Sequence, residues 1–402
     1  MLRAVAAAVL LLLHTFAVVA QLGAADYALP GPFQAGWRTV TVTRPDSSTF
    51  TAVLYYPAVA RGLGAAFDPS GGPYPGVTFG HGFLQPVSRY ASTLEHLATW
   101  GYFAIASESQ SGLFPSHSAF ADDMRHCLTW LEQQAANPAS PYFQAVRTDA
   151  FGASGHSMGG GCSILAASRD MRIRAVANLA PAETNPSAAA AMPLVTVPLR
   201  LLAGSNDTVT PLGQHAQPIY NAGGPAKQLP VFQGGWHCGF QDSSSFGCDS
   251  GPMPRAEQLT LTRRYLTGFF ELHLRGAQAA WRQAWGPVAE SNVTTQAAPG
   301  ASVLPSASLV SCRAGESASL QATLQNTGRA PTALTLLLES PFQRVLTVPT
   351  LGVLAVGAGL TVPIAVRVPS GTQSGDYPLL LSVRRKDDGA RGYAAVTVRV
   401  TQ

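Results

Sequence analysis

The chain has 402 residues, 46% of them hydrophobic, which is enough for two domains and a sizeable core. Charged residues are only 12%, against roughly 25% in ordinary soluble proteins. The formal net charge is +4, and Lys and Arg form no cluster interleaved with aromatics, which excludes nucleic acid as an expected partner.

At the start of the chain, Arg3, an apolar run over 5–13 and the small residues Val18-Val19-Ala20 follow the order of a secretory signal peptide, residues 1–20. The alternative is a membrane anchor, but the run falls short of the roughly 20 residues of a span and lacks a basic flank. No later segment is long and apolar enough to cross a bilayer, so a secreted, extracellular protein is expected. Export means an oxidising compartment. Cys238 and Cys248, close in sequence around a polar loop, are the expected disulfide among Cys127, Cys162, Cys238, Cys248 and Cys312. The odd count leaves at least one thiol free or intermolecular.

Residues 21–289 alternate strand-like and helix-like stretches. Strands are expected at 37–44 and 50–56, from 77, and at 102–106, 150–155, 173–179, 199–203 and 228–232. Helices are expected at 90–100, 119–134 and 159–168, and from 255 to about 275. This alternation predicts an α/β fold, a mostly parallel central sheet flanked by helices. Residues 290–308, rich in Ser, Thr, Ala and Pro, read as a linker. Residues 309–402 hold only short strand-like runs with turn punctuation, as expected for an all-β immunoglobulin-like sandwich.

Gly155-His156-Ser157-Met158-Gly159 fits the G-x-S-x-G pattern, in which flanking glycines allow a sharp strand-to-helix turn and present the serine hydroxyl. A serine needs a histidine base, itself oriented by a carboxylate. Asp207 follows an expected strand 50 residues after Ser157, and His237 follows the next strand 30 residues later. That is the order Ser, Asp, His at strand ends. Asp170, Asp242, Asp249 and His215 lack this placement. Oxyanion donors are expected from the backbone N–H of Met158 and, in the loop Gly80-His81-Gly82-Phe83, that of Phe83; His81 should buttress the loop.

These residues resemble the polyester-degrading cutinases and polyethylene terephthalate hydrolases, in the chlorophyllase-like and dienelactone-hydrolase-like branch of the α/β-hydrolases. The resemblance rests on Gly31-Pro32-Phe33, Tyr55-Tyr56-Pro57, the elbow through Gly161, Asn206-Asp207 and Gly234-Gly235-Trp236-His237. It implies the α/β-hydrolase fold and a serine carboxylester hydrolase. It also implies that Phe83 and Met158 line the acyl subsite. Ala182 stands where the family usually carries a substrate-stacking tryptophan, and Trp236 is either a replacement aromatic wall or a buried packing residue. The expected partner is an ester, polymeric or soluble, met by a monomer that uses no cofactor and no metal. A chlorophyllase-like or small-ester esterase is the alternative within enzymes. An inactive hydrolase scaffold used for binding is the alternative outside them.

Overall fold

The computed structural model describes residues 25–245, 247–347 and 352–402. The expected signal peptide lies outside the described residues.

The first two strands, β1 (Gln34–Thr43) and β2 (Thr49–Ala58), form an antiparallel hairpin. Its turn is fixed by Asp46, whose carboxylate accepts from Ser48 N at 3.0 Å. After the two-residue β3 (Gly62–Leu63) come the strands that build the centre. They are β4 (Tyr74–Gly80), β5 (Phe103–Ser107), β6 (Val146–His156), β7 (Ile173–Leu179), β8 (Leu199–Gly204) and β9 (Lys227–Phe232). β4, β5 and β8 are buried along their whole length, so their near-continuous apolar sequence reflects cover on both faces rather than alternation.

Helices supply that cover. α1 (Ala91–Thr99) and the long helix Arg255–His273 pack one face through Leu94, Leu97, Leu266, Phe269 and Phe270. α2 (His117–Ala136) and α3 (Met158–Ala167) cover the other through Phe120, Met124, Leu128, Leu131, Ile164 and Leu165. In α2 these apolar residues recur at helical spacing, and Ser116 caps the helix by accepting from Ala119 N at 3.2 Å.

The large sheet runs β10-β9-β8-β7-β6-β4-β5-β2-β1-β3. Pairing is parallel from β5 through β9. β5 lies on one side of β4 and β6 on the other, so the strand order reverses there. A crevice must open beyond the carboxyl ends of β4 and β6.

The tenth strand corrects the expected linker. β10 (Val293–Ala298) pairs antiparallel with β9, Val293 opposite Phe232. β11 (Ala301–Pro305) already belongs to the C-terminal sheets. Only Pro299 and Gly300 separate the two strands.

The C-terminal region contains two sheets, β11-β13-β17 and β12-β19-β18-β14-β15, with β16 paired to β14. The strands are β12 (Leu309–Arg313), β13 (Ser317–Asn326), β14 (Thr332–Ser340), β15 (Gln343–Thr347), β16 (Val353–Leu354), β17 (Gly359–Arg367), β18 (Gly375–Arg385) and β19 (Arg391–Thr401). Alternate residues of β13 point inward and meet Leu336, Leu381 and Val398 of the facing sheet in one core.

This region is held against the sheet's amino-terminal edge. His273 Nδ1 lies 2.8 Å from Asp388 O, Arg329 donates to Val195 O at 3.0 Å, and the Arg391 guanidinium sits 4.9 Å over the Trp281 ring. A cavity of about 820 Å³ at the junction is lined by Asp149, Arg174 and Thr196–Pro198 from that edge.

Candidate active site

Ser157 follows β6 with φ 56° and ψ −120°, a left-handed conformation that costs a non-glycine residue on the order of 1–3 kcal/mol. Close packing holds it there. A Cβ on Gly159 would stand 2.1 Å from the Gly80 carbonyl oxygen, and one on Gly155 would stand 2.4 Å from that of Gly159. Only glycine lets α3 approach β4 this closely. Gly159 N donates to His81 O at 3.1 Å, which draws the loop after β4 against the start of α3. Met158 is the first residue of α3, so its N–H has no acceptor within the helix.

Asp207 lies beyond β8 and His237 beyond β9, both buried. His237 Nδ1 is 2.8 Å from Asp207 Oδ2. The other carboxylate oxygen accepts from Val209 N at 2.9 Å and Thr210 N at 2.7 Å. Burial pushes the Asp207 carboxyl up, but the bonds from His237 and Thr210 outweigh it and hold the group below its ordinary value. Thr210 Oγ1 also contacts Asp207 Oδ2 at 2.9 Å and His237 Nδ1 at 3.0 Å, wedging the pair together.

Ser157 and His237 line one cleft of about 270 Å³ with Gly82, Phe83, Leu84, Val209 and the bridged Cys238 and Cys248. Phe83, Leu84 and Val209 are partly exposed and give it apolar walls. The cavities of about 500 and 820 Å³ contain neither Ser157 nor His237.

The other anticipated residues divide. Phe83 lines the cleft, whereas Met158 is buried and, like Ala182, lies outside its lining. Ala182 is tied to Ser157 through the backbone, its N donating to Ser157 O at 2.9 Å. Trp236 is a packing residue rather than a wall. Its Nε1 donates to Met253 O at 3.1 Å, and Arg255 covers its ring at 4.7 Å. His81 is fully buried between Gly82 O (2.8 Å) and Ser109 O (2.9 Å), and buttresses its loop. His215 accepts from Glu183 N at 3.0 Å and, among the described residues, makes no hydrogen bond to Asp207 or His237. The Cys238–Cys248 disulfide is present; Cys127, Cys162 and Cys312 are unpaired and buried. Burial pushes the Cys162 thiol up to about 12.

Three residues were missed by sequence reasoning. Asp249, considered only as a rival to Asp207, accepts from His237 N (2.9 Å), Cys238 N (3.0 Å) and Thr208 N (3.2 Å). Tyr90 and His156 are buried, His156 in the lining of the cleft, and hydrogen-bond to each other at 2.9 Å. Among the described residues, no group of three His, Cys, Asp or Glu side chains could hold a metal ion, and no helix is long and apolar enough to cross a membrane.

Comparison with known families bears on the same segment. A family model described as PET hydrolase-like matches residues 23–246, more than half of the chain and every residue of the cleft except Gly247 and Cys248. The chain belongs to the PET hydrolase-like family. Within it, the chain is similar to cutinase 1 of Thermobifida cellulosilytica, 26% identical over 196 residues, covering 48% of this chain and 67% of that protein. A cutinase of Thermobifida fusca (strain YX) is also 26% identical over 196 residues, 48% of this chain and 58% of the relative. Cutinase est1 of Thermobifida alba is 26% identical over 169 residues, 42% of this chain and 51% of the relative. These matches span from about half to two thirds of the relatives' own length.

Proposed function

We propose that this family member is a secreted serine hydrolase of carboxylic esters, with Ser157 as nucleophile, His237 as general base and Asp207 as the carboxylate that orients it. The observation that carries this reading is the 2.8 Å contact between Asp207 and His237 at the cleft that also receives Ser157 from its left-handed turn. Asp207 fixes the proton on Nδ1, leaving Nε2 bare to accept.

The cycle uses only these groups. Ser157 Oγ bonds to the ester carbonyl carbon as His237 Nε2 takes its proton. The carbonyl oxygen becomes an oxyanion, held by the N–H of Met158 and of Phe83. One such donor is worth about 2.7–4 kcal/mol. Collapse breaks the C–O bond to the alcohol, which leaves with the proton from His237. Water, deprotonated by His237, then attacks the acyl-enzyme, and the acid departs as Ser157 regains its proton.

The partly exposed apolar walls Phe83, Leu84 and Val209 suit a polyester-type chain laid across the cleft. Small soluble esters are the second reading, favoured by Ala182, which offers no ring to stack on an aromatic acyl unit. Export is supported by the signal-peptide pattern and the disulfide. An immunoglobulin-like assignment of the C-terminal region rests on its two facing sheets and shared core.

The test is turnover of p-nitrophenyl butyrate by the parent and by Ser157→Ala, with acid released from a polyester film measured in parallel. Parent turnover that vanishes in Ser157→Ala supports the reading. Turnover retained by the variant refutes it. Release from soluble esters but not from film would leave the small-ester reading in place of the polyester one.

A further inference from the structure

We propose that Tyr90 and His156 are positioning residues that lock the oxyanion loop to the histidine loop through a single chain of hydrogen bonds. The inference rests on the assignment of Ser157, His237 and Phe83 above.

Tyr90 closes the short turn before α1 and is fully buried. Its hydroxyl oxygen accepts from Gly82 N at 3.0 Å and from Gln241 Nε2 at 3.1 Å. A hydroxyl has two lone pairs and one hydrogen. With both lone pairs engaged, its hydrogen must go to the remaining neighbour, His156 Nδ1, at 2.9 Å.

The far side of the ring gives the same answer independently. His156 Nε2 lies 3.2 Å from His237 O, a carbonyl that can only accept, so Nε2 carries a proton. Burial first, and the neighbouring His237 second, drive the His156 pKa well below its ordinary value. The ring is therefore neutral, and its one proton on Nε2 leaves Nδ1 bare to accept from Tyr90.

The chain of bonds thus runs from Gly82 N–H to Tyr90 O–H to His156 Nδ1, and from His156 Nε2–H to His237 O. Its contacts span 66 and 81 residues of sequence. Gly82 directly precedes Phe83, so a shift of Gly82 moves the Phe83 amide. His156 directly precedes Ser157, and its ring packs on that of His237 at 4.4 Å between centroids. One hydroxyl therefore sets three loops relative to one another: those after β4, β6 and β9.

The test uses the full chain with p-nitrophenyl butyrate, kcat and KM determined separately, and urea midpoints for every variant. Removing an oxyanion donor outright costs about 100–1,000-fold; displacing one should lower kcat of Tyr90→Phe by about 10–100-fold with KM within about threefold. His156→Leu should fall similarly. In His156→Gln the amide oxygen can accept from Tyr90 while its nitrogen donates to His237 O, and this should recover about tenfold of the loss. A purely structural role would lower the urea midpoint without this split and without rescue.

The proposal is overturned if kcat of Tyr90→Phe stays within about threefold of the parent, or if His156→Gln does no better than His156→Leu at equal stability. Should Tyr90→Phe fail to fold, the His156 pair decides. Turnover surviving in Ser157→Ala would sink the site assignment and the coupling together. An inactive Ser157→Ala beside an unaffected Tyr90→Phe would sink the coupling alone.

Discussion

Replacing Asp249 with alanine separates a brace from a catalytic group. The Asp249 carboxylate collects three backbone N–H groups, from His237, Cys238 and Thr208, at 2.9, 3.0 and 3.2 Å. It thereby ties the loop of Asp207 to the loop of His237. Hydrogen bonds to a charged acceptor contribute about 1.5–3 kcal/mol each, and Asp249 is only partly buried, so water will replace some of them. The expected cost of Asp249→Ala is about 2–4 kcal/mol in all, read from urea unfolding. With their common anchor gone, the two loops should misplace His237 enough to lower kcat about tenfold, or ~1.4 kcal/mol of barrier. Asp249→Asn, which keeps one acceptor oxygen, should fall between. A stability loss under about 0.5 kcal/mol together with parental kcat would refute the bracing argument.

Asp207→Asn leaves the packing intact but no longer fixes the His237 tautomer, so kcat should drop about 10³–10⁴-fold in steady-state assays. The folded Asp207 carboxyl is held below its unfolded value, so the folded state binds fewer protons there. Its stabilisation is present above about pH 4 and is lost as pH falls through the unfolded value toward the folded one. Urea midpoints between pH 6 and pH 3 should decline less steeply in Asp207→Asn than in the parent. Gly159→Ala places a Cβ 2.1 Å from the Gly80 carbonyl oxygen. It should cost about 3 kcal/mol or more of stability, and a normal melting temperature would contradict the close approach. Reducing the Cys238–Cys248 bridge, 10 residues apart, should cost about 2–3 kcal/mol by chain entropy, measured by unfolding with and without reductant.

What the sequence revealed follows from what is local. The strand–turn–helix around Ser157 and the loops after β8 and β9 announce themselves through glycines at fixed offsets and short apolar runs. β10 did not, because an edge strand with only Val293 buried shows no apolar pattern, and its pairing with β9 is set by tertiary contact. Trp236 was ambiguous for the same reason: Met253 and Arg255, which decide its role, lie 17 and 19 positions away. Tyr90 and Asp249 carry no motif, and His156 occupies a variable position of the G-x-S-x-G pattern. Their meaning comes from backbone groups brought to them by folding.

The two-residue join between β10 and β11 has a directional consequence. Through β10 the C-terminal sheets continue from the large sheet itself, and they contact the edge where β6, β7 and β8 begin. Ser157, Asp207 and His237 stand where those same strands, and β9, end. The two halves must therefore tumble as one particle, with the cleft at one pole and the C-terminal sheets toward the other. Any molecule that enters the cleft therefore has the C-terminal sheets behind the site, like a handle, rather than beside it as a second foot.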